Sequence, residues 1–164
     1  MGYSPAAGRG QEETQIMIRT PSTYSDWISL FDMLKNHEND EDVVAAMERG
    51  TLPWQSGVAE RFTGKMIEAV NKRLDDASDR FKRNMAQANG ESGLLQTLNI
   101  MRKELILMKR VVNVNAIPSD IRGKYVSMVT KFADDAQKSL EDSAKSDRTG
   151  KLRFLIRNHP INRI

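Results

Sequence analysis

One stripe of apolar residues governs what this chain folds into. Val58, Phe62, Met66, Val70, Leu74, Ala77, Phe81, Met85 and Ala88 follow one another at spacings of 4, 4, 4, 4, 3, 4, 4 and 3. Steps of three and four keep side chains on one face of an α-helix, so the spacing predicts a single amphipathic helix of about 30 residues, closing at Asn89-Gly90. Such a helix is roughly 45 Å long, whereas a compact chain of 164 residues has a diameter of about 40 Å. The helix is as long as the domain is wide, and an elongated bundle follows rather than a sphere. Gly64, which costs about 1 kcal/mol relative to Ala in a helix interior, is its weak point.

The flanking segments are helical as well. Ser22 or Thr23 can cap a helix carrying Trp27, Leu30, Phe31 and Leu34, with Asp26 in its first turn. A short helix over about Asp40 to Arg49 uses Val43, Val44 and Met47, and Gly50 stops it. Pro53 then interrupts any continuous helix in Thr51 to Gly57. After the long helix, Ser92 can cap a fourth, in which Leu94, Leu98, Met101, Leu105, Met108 and Val112 step by 4, 3, 4, 3 and 4, the spacing of a coiled-coil seam. Ser119 and Asp120 open a fifth, marked by Ile121, Tyr125, Met128, Phe132, Ala136, Leu140 and Ala144 and expected to end near Gly150. A last basic helix, Lys151 to Asn158, stops before Pro160. Only Val111 to Asn115 hints weakly at a strand. The expected fold is therefore all-α, an elongated antiparallel bundle of five to six helices, three of them long and packed together.

Residues 1–21 show no period, only Gly, Pro, Ser, a few charges and the apolar patch Ile16-Met17-Ile18. They read as a flexible N-terminal arm that docks through that patch, ahead of a bundle over 22–149 and a basic segment over 150–164. Residues 1–90 hold 11 Lys/Arg against 14 Asp/Glu, a balance of −3, whereas 91–164 hold 14 against 8, or +6. Within the last twenty residues Lys145, Arg148, Lys151, Arg153, Arg157 and Arg163 face a single acid, Asp147. A chain so polarised can meet an anionic partner or a second copy of itself, although a basic helix end can also complement its own dipole.

Several function classes drop out. The absence of cysteine removes disulfides, thiol catalysis and zinc fingers. Apolar runs no longer than five residues, such as Val43 to Met47 and Leu105 to Met108, do not span a bilayer. No apolar stretch near Met1 makes a secretory signal, and Ala6 stands where N-myristoylation needs Ser or Thr, so a cytoplasmic protein is expected. His37 with Glu38, Asp40, Glu41 and Asp42 lacks the Gly of a calcium loop and reads as a solvated acidic lead-in to a helix. Asp75, Asp76 and Asp79, and Asp134-Asp135, lie off the apolar stripes; Asp76 has Arg80 or Arg73 as helical partners. Thr149-Gly150-Lys151 ends like a phosphate loop, but Leu152 replaces the required Ser or Thr. No catalytic residue, metal site, cofactor or small-molecule substrate is assigned.

What remains is a non-enzymatic helical subunit of a larger assembly, such as a phage, viral or other multiprotein particle. Its expected contacts are the arm (Ile16, Met17, Ile18) and the basic terminus, with a protein partner or self-association. The alternatives are a non-specific nucleic-acid binder, in which Phe154 supplies a ring among the cations, and a small regulatory adaptor. Trp27 fits the core of the first helix, and the helical methionines read as core filler. For Trp54, in its Pro-Trp connector, two readings stay open: an exposed partner anchor or a buried clamp.

Overall fold

The computed structural model describes residues 18–87, 90–144 and 147–164. Six α-helices run through them: α1 (Tyr24–Lys35), α2 (Asp40–Arg49), α3 (Ser56–Gln87), α4 (Gly90–Val112), α5 (Ser119–Ser143) and α6 (Lys151–Asn158), followed by a 3-10 turn over Pro160–Asn162. There is no strand among the described residues, and Val111 and Val112 are the last turn of α4. Most of the arm, including Ile16 and Met17, lies outside the described residues, as does Lys145. Ile18 is half-buried against the chain's own core.

The long helix is continuous for 32 residues, about 48 Å, and Gly64 does not interrupt it. Its stripe is buried at Phe62, Met66, Val70 and Leu74 and half-buried at Ala77, Phe81 and Met85. The change along the helix follows its neighbours: α1 lies against α3, its Trp27 at Phe62 and its Lys35 at Glu68, and runs out before the C-terminal half. Thr23 caps α1, its hydroxyl accepting from the Asp26 amide while Asp26 accepts from the Ser22 and Thr23 amides, a reciprocal box. Those amide bonds hold the Asp26 carboxyl below its usual range. Ser92, by contrast, is no cap. α4 already begins at Gly90, whose φ of 72° suits a residue without Cβ.

The expected mutual packing of the three long helices is only partly realised. α4 lies against α3 on one flank and α5 on another, and among the described residues α3 and α5 make no close backbone approach. Instead α4 is the common partner, also touching α2, α6 and the 3-10 turn. Its seam residues Leu94, Leu98, Met101, Leu105, Met108 and Val112 are all buried, which matches their a/d spacing. On α5 the buried line is Tyr125, Val129 and Ala133, rotated from the expected stripe, and Met128 and Phe132 are left half-exposed.

An aromatic cluster joins α1, the connector between α2 and α3, and the start of α3. Trp27 lies edge-on to Phe62 at 5.2 Å and tilted against Phe31 at 6.2 Å, and its indole N–H donates to the Thr51 carbonyl at 3.0 Å. Trp54 is half-buried with its ring edge-on to Phe62 at 5.6 Å, so it clamps the connector onto the cluster. Gly50 sits where the chain leaves α2 under this cluster. A Cβ there would stand 2.6 Å from Pro21 Cγ and 2.7 Å from Trp27 Cζ2. Gly50→Ala is accordingly expected to cost about 1–3 kcal/mol, the range for overpacking a filled core, measured as a shift of the urea midpoint at unchanged slope.

Candidate functional site

Charged side chains converge in two places, and their geometries do different things. The first centres on Arg73, which lies on the buried face of α3 with only 1% of its side chain exposed. Its Nε donates to Glu104 Oε1 of α4 at 2.7 Å and Nη2 to Glu104 Oε2 at 2.8 Å. Nη1 donates to Asp40 Oδ1 at 2.7 Å and to the Leu34 carbonyl at 3.0 Å, and Nη2 to Asp40 Oδ2 at 3.0 Å. A guanidinium has five N–H donors, and these five bonds use them all. Burial opposes the charge, but the bonds to Asp40 and Glu104 outweigh it and hold Arg73 above the ordinary arginine pKa. One side chain thus ties α1, α2, α3 and α4 together.

A cavity of about 110 Å3 opens beside this junction, between Arg73, Asn84, Thr97, Met101 and Glu104. It has room for a few waters and is well below the roughly 300–1,000 Å3 of a drug-sized ligand site. Arg73 has no donor left to offer a ligand there. This geometry makes the junction a structural fastener.

The acidic start of α2 is therefore more than a solvated lead-in. Asp40 joins Arg73, and Glu41 and Glu48 hold Arg110 of α4 at 2.9 and 2.6 Å. Asp76 takes neither of its expected helical partners: it accepts from Lys72 at 2.8 Å and lies 2.8 Å from His37 Nε2, which together lower its pKa. Asp75 and Asp79 are exposed, as their position off the stripe requires. Among the described residues no group of three or more His, Asp or Glu is placed to hold a metal ion, and no helix is long and apolar enough to cross a membrane.

The second convergence is the basic terminus. α6 is fastened from its start: the Asp147 carboxylate accepts from the Leu152 amide at 3.0 Å and from the Thr149 amide and hydroxyl at 3.1 and 2.8 Å, which lowers its pKa. The Thr149-Gly150-Lys151 turn is thus a helix entry. At 100° per residue, Leu152, Leu155 and Ile156 share one face of α6, and Ile156 is buried on the bundle. Phe154 points the other way, 66% exposed, with Lys151 three residues before it and Arg157 three after. Lys151, Arg153 and Arg157 are all exposed, as are Arg148 and Arg163.

The acids nearby do little to neutralise this face. Lys151 lies 3.9 Å from Glu91, an exposed pair of the kind that contributes about 0–1 kcal/mol, and the exposed Arg157 lies 3.5 Å from the half-buried Glu141. Arg148 and Arg153 make no ion pair among the described residues. The structure therefore brings Lys151, Arg153 and Arg157 together around Phe154. Arg148 sits in the entry turn, and Arg163 beyond the 3-10 turn. No protein-family model, curated protein or solved structure matches the chain.

Proposed function

We propose that this chain is a non-catalytic helical subunit of a larger protein assembly and that α6 is a contact element. The observation that carries the reading is Phe154: a large ring 66% exposed on a helix whose opposite face is seated on the bundle. Exposed aromatic anchors ringed by charge are what protein interfaces use, the ring filling a pocket and the cations selecting an acidic rim. An acidic protein surface fits better than a nucleic acid. α6 is only about 12 Å long, its cations fan around one ring instead of tracking along a groove, and Glu91 and Glu141 are interleaved with them. The −3 balance of residues 1–90 against +6 in the remainder makes a second copy a suitable partner, in a cytoplasmic setting.

Light scattering after size exclusion tests this. The wild-type chain is expected to exceed monomer mass at low salt and to fall toward it as salt rises. Both Phe154→Ala and the triple variant K151A/R153A/R157A should remain monomeric, with unchanged helical content. A wild-type chain monomeric at every salt that instead binds single-stranded RNA, with a salt slope shallower by about two in the triple variant, replaces this reading with the nucleic-acid one.

A further inference from the structure

The segment that carries α6 is strapped to the bundle around one buried imidazole. Beyond α6 the chain turns through Pro160–Asn162 and is gripped from α4. Arg102 Nε donates to the Pro160 carbonyl and Nη2 to the Arg163 carbonyl, each at 3.0 Å, and Lys109 donates to the Ile164 carbonyl. Ile161 is fully buried beneath these bonds. From α5, the Gln137 amide donates to the Ile156 and Arg157 carbonyls at 3.2 Å.

His159 lies at the centre of this strap, 8% exposed. Its Nε2 is 2.7 Å from Asn99 Oδ1 of α4, and because an amide oxygen only accepts, the neutral ring carries its proton on Nε2. The other nitrogen, Nδ1, is buried with no hydrogen-bond partner among the described residues. A neutral ring tolerates that arrangement. A protonated ring must place an N–H at Nδ1, where nothing accepts it, and a positive charge beside Arg102.

The surrounding charges do not relieve that cost. α4 contributes Arg102 and Lys109, and the strap itself Arg157 and Arg163. From α5, Gln137 is neutral and Glu141 is paired with Arg157 at 3.5 Å. Desolvation first, and Arg102 second, hold the imidazole below its ordinary pKa of 6.5.

We propose that His159 is a proton-operated latch, whose protonation lifts residues 151–164 off α4 and α5 and so withdraws the α6 contact face. The regulatory meaning rests on reading α6 as the contact element, but release of the strap is measured with no partner present. The sign follows from linkage. The released segment takes up a proton at the ordinary imidazole pKa and the docked one only at a lower value. The strap's stability is therefore full above about pH 6.5 and is lost as pH falls through the docked value. The Asp147 cap is held below the ordinary carboxylate value of 3.8, so it stays ionised at pH 5.0.

Hydrogen exchange of the full chain at pH 7.5 and 5.0, corrected for intrinsic rates, is the test, with an NMR titration of both imidazoles alongside. Wild-type peptides covering 151–164 are expected to lose slow exchange at pH 5.0 while those covering 56–87 keep theirs. His159→Gln, which retains a donor toward Asn99 and does not titrate, should protect the strap at both pH values. Equal protection of the wild-type strap at the two pH values overturns the latch. So does loss of protection at pH 5.0 in His159→Gln, which moves the effect to carboxylates. If the Gln variant fails to hold the strap even at pH 7.5, the imidazole titration decides, with His37→Gln assigning the two rings. Proton uptake by His159 in step with strap release supports the latch, and uptake with the strap still protected overturns it.

Discussion

Arg73→Ala is expected to lower the unfolding free energy by about 3–5 kcal/mol, the usual cost of removing one partner from a buried charge cluster. For a chain of this size that corresponds to a fall in Tm of roughly 10 °C. The loss comes less from the missing attraction than from what is left behind. Glu104, 17% exposed, loses both its bonds to the guanidinium, and the Leu34 carbonyl loses a donor. Arg73→Lys should recover only part of this, because one ammonium with three donors cannot reproduce a planar fork serving two carboxylates and a carbonyl. The triple replacement R73M/D40N/E104Q should be more stable than Arg73→Ala, since no uncompensated charge remains. Thermal and urea unfolding of the four proteins checks the order. A wild-type-like Arg73→Ala would remove the junction from the account of stability.

Trp27→Ala should cost a similar amount, about 3–5 kcal/mol, through a different mechanism. Trp27 is completely buried, and its ring is the shared neighbour of Phe31 and Phe62, so the cavity left cannot collapse without moving α1 against α3. Trp27→Phe separates the two contributions. It keeps much of the ring and leaves the Thr51 carbonyl without its indole donor, for a smaller loss of about 1–3 kcal/mol. Trp54→Ala, at a half-buried site on the rim of the cluster, should cost less than Trp27→Ala. Urea titrations followed by circular dichroism give the comparison independently of the altered fluorescence.

The two junctions differ in how far the sequence announces them. Trp27 was legible because it repeats with Leu30, Phe31 and Leu34 at helical spacing. The span of α3 was legible because its apolar stripe continues for eight turns. The short helices α2 and α6 were marked by Gly50, Gly150 and Pro160. Arg73 was read only as a helical partner of Asp76, because charge usually means solvent, yet its position carried a signal. It lies three residues after Val70 and four before Ala77, on the same face as the stripe. A long-stemmed cation in such a position is buried only if acids reach it, and the acids that do are 33 and 31 residues away on α2 and α4.

The same limit applies at the other end of the chain. The cations of α6 and the exposure of Phe154 follow from the period of an eight-residue helix, whereas the strap does not. Asn99 meets the His159 ring, and Arg102 the carbonyl groups of Pro160 and Arg163, which every residue type possesses, all across about sixty residues of sequence. Spacing carries no trace of such bonds. The rotation of the buried line on α5 is a similar case. Its composition allows more than one face to turn inward, and Tyr125, Val129 and Ala133 are the residues buried where α4, α6 and the 3-10 turn pack against it.

The central place of α4 has a consequence for how perturbation spreads. The backbones of the layer formed by α1 to α3 and of the layer formed by α5, α6 and the 3-10 turn approach this one helix and, among the described residues, do not approach each other closely. Energetic coupling between them runs through α4. Substitutions in opposite layers that do not touch α4 should combine close to additively, whereas any change on α4 is felt by both. The chain is thereby partitioned into two flanks joined by a shared spine. The flank that bears Phe154 can open, repack or acquire new side chains while the aromatic end of the molecule keeps its own stability.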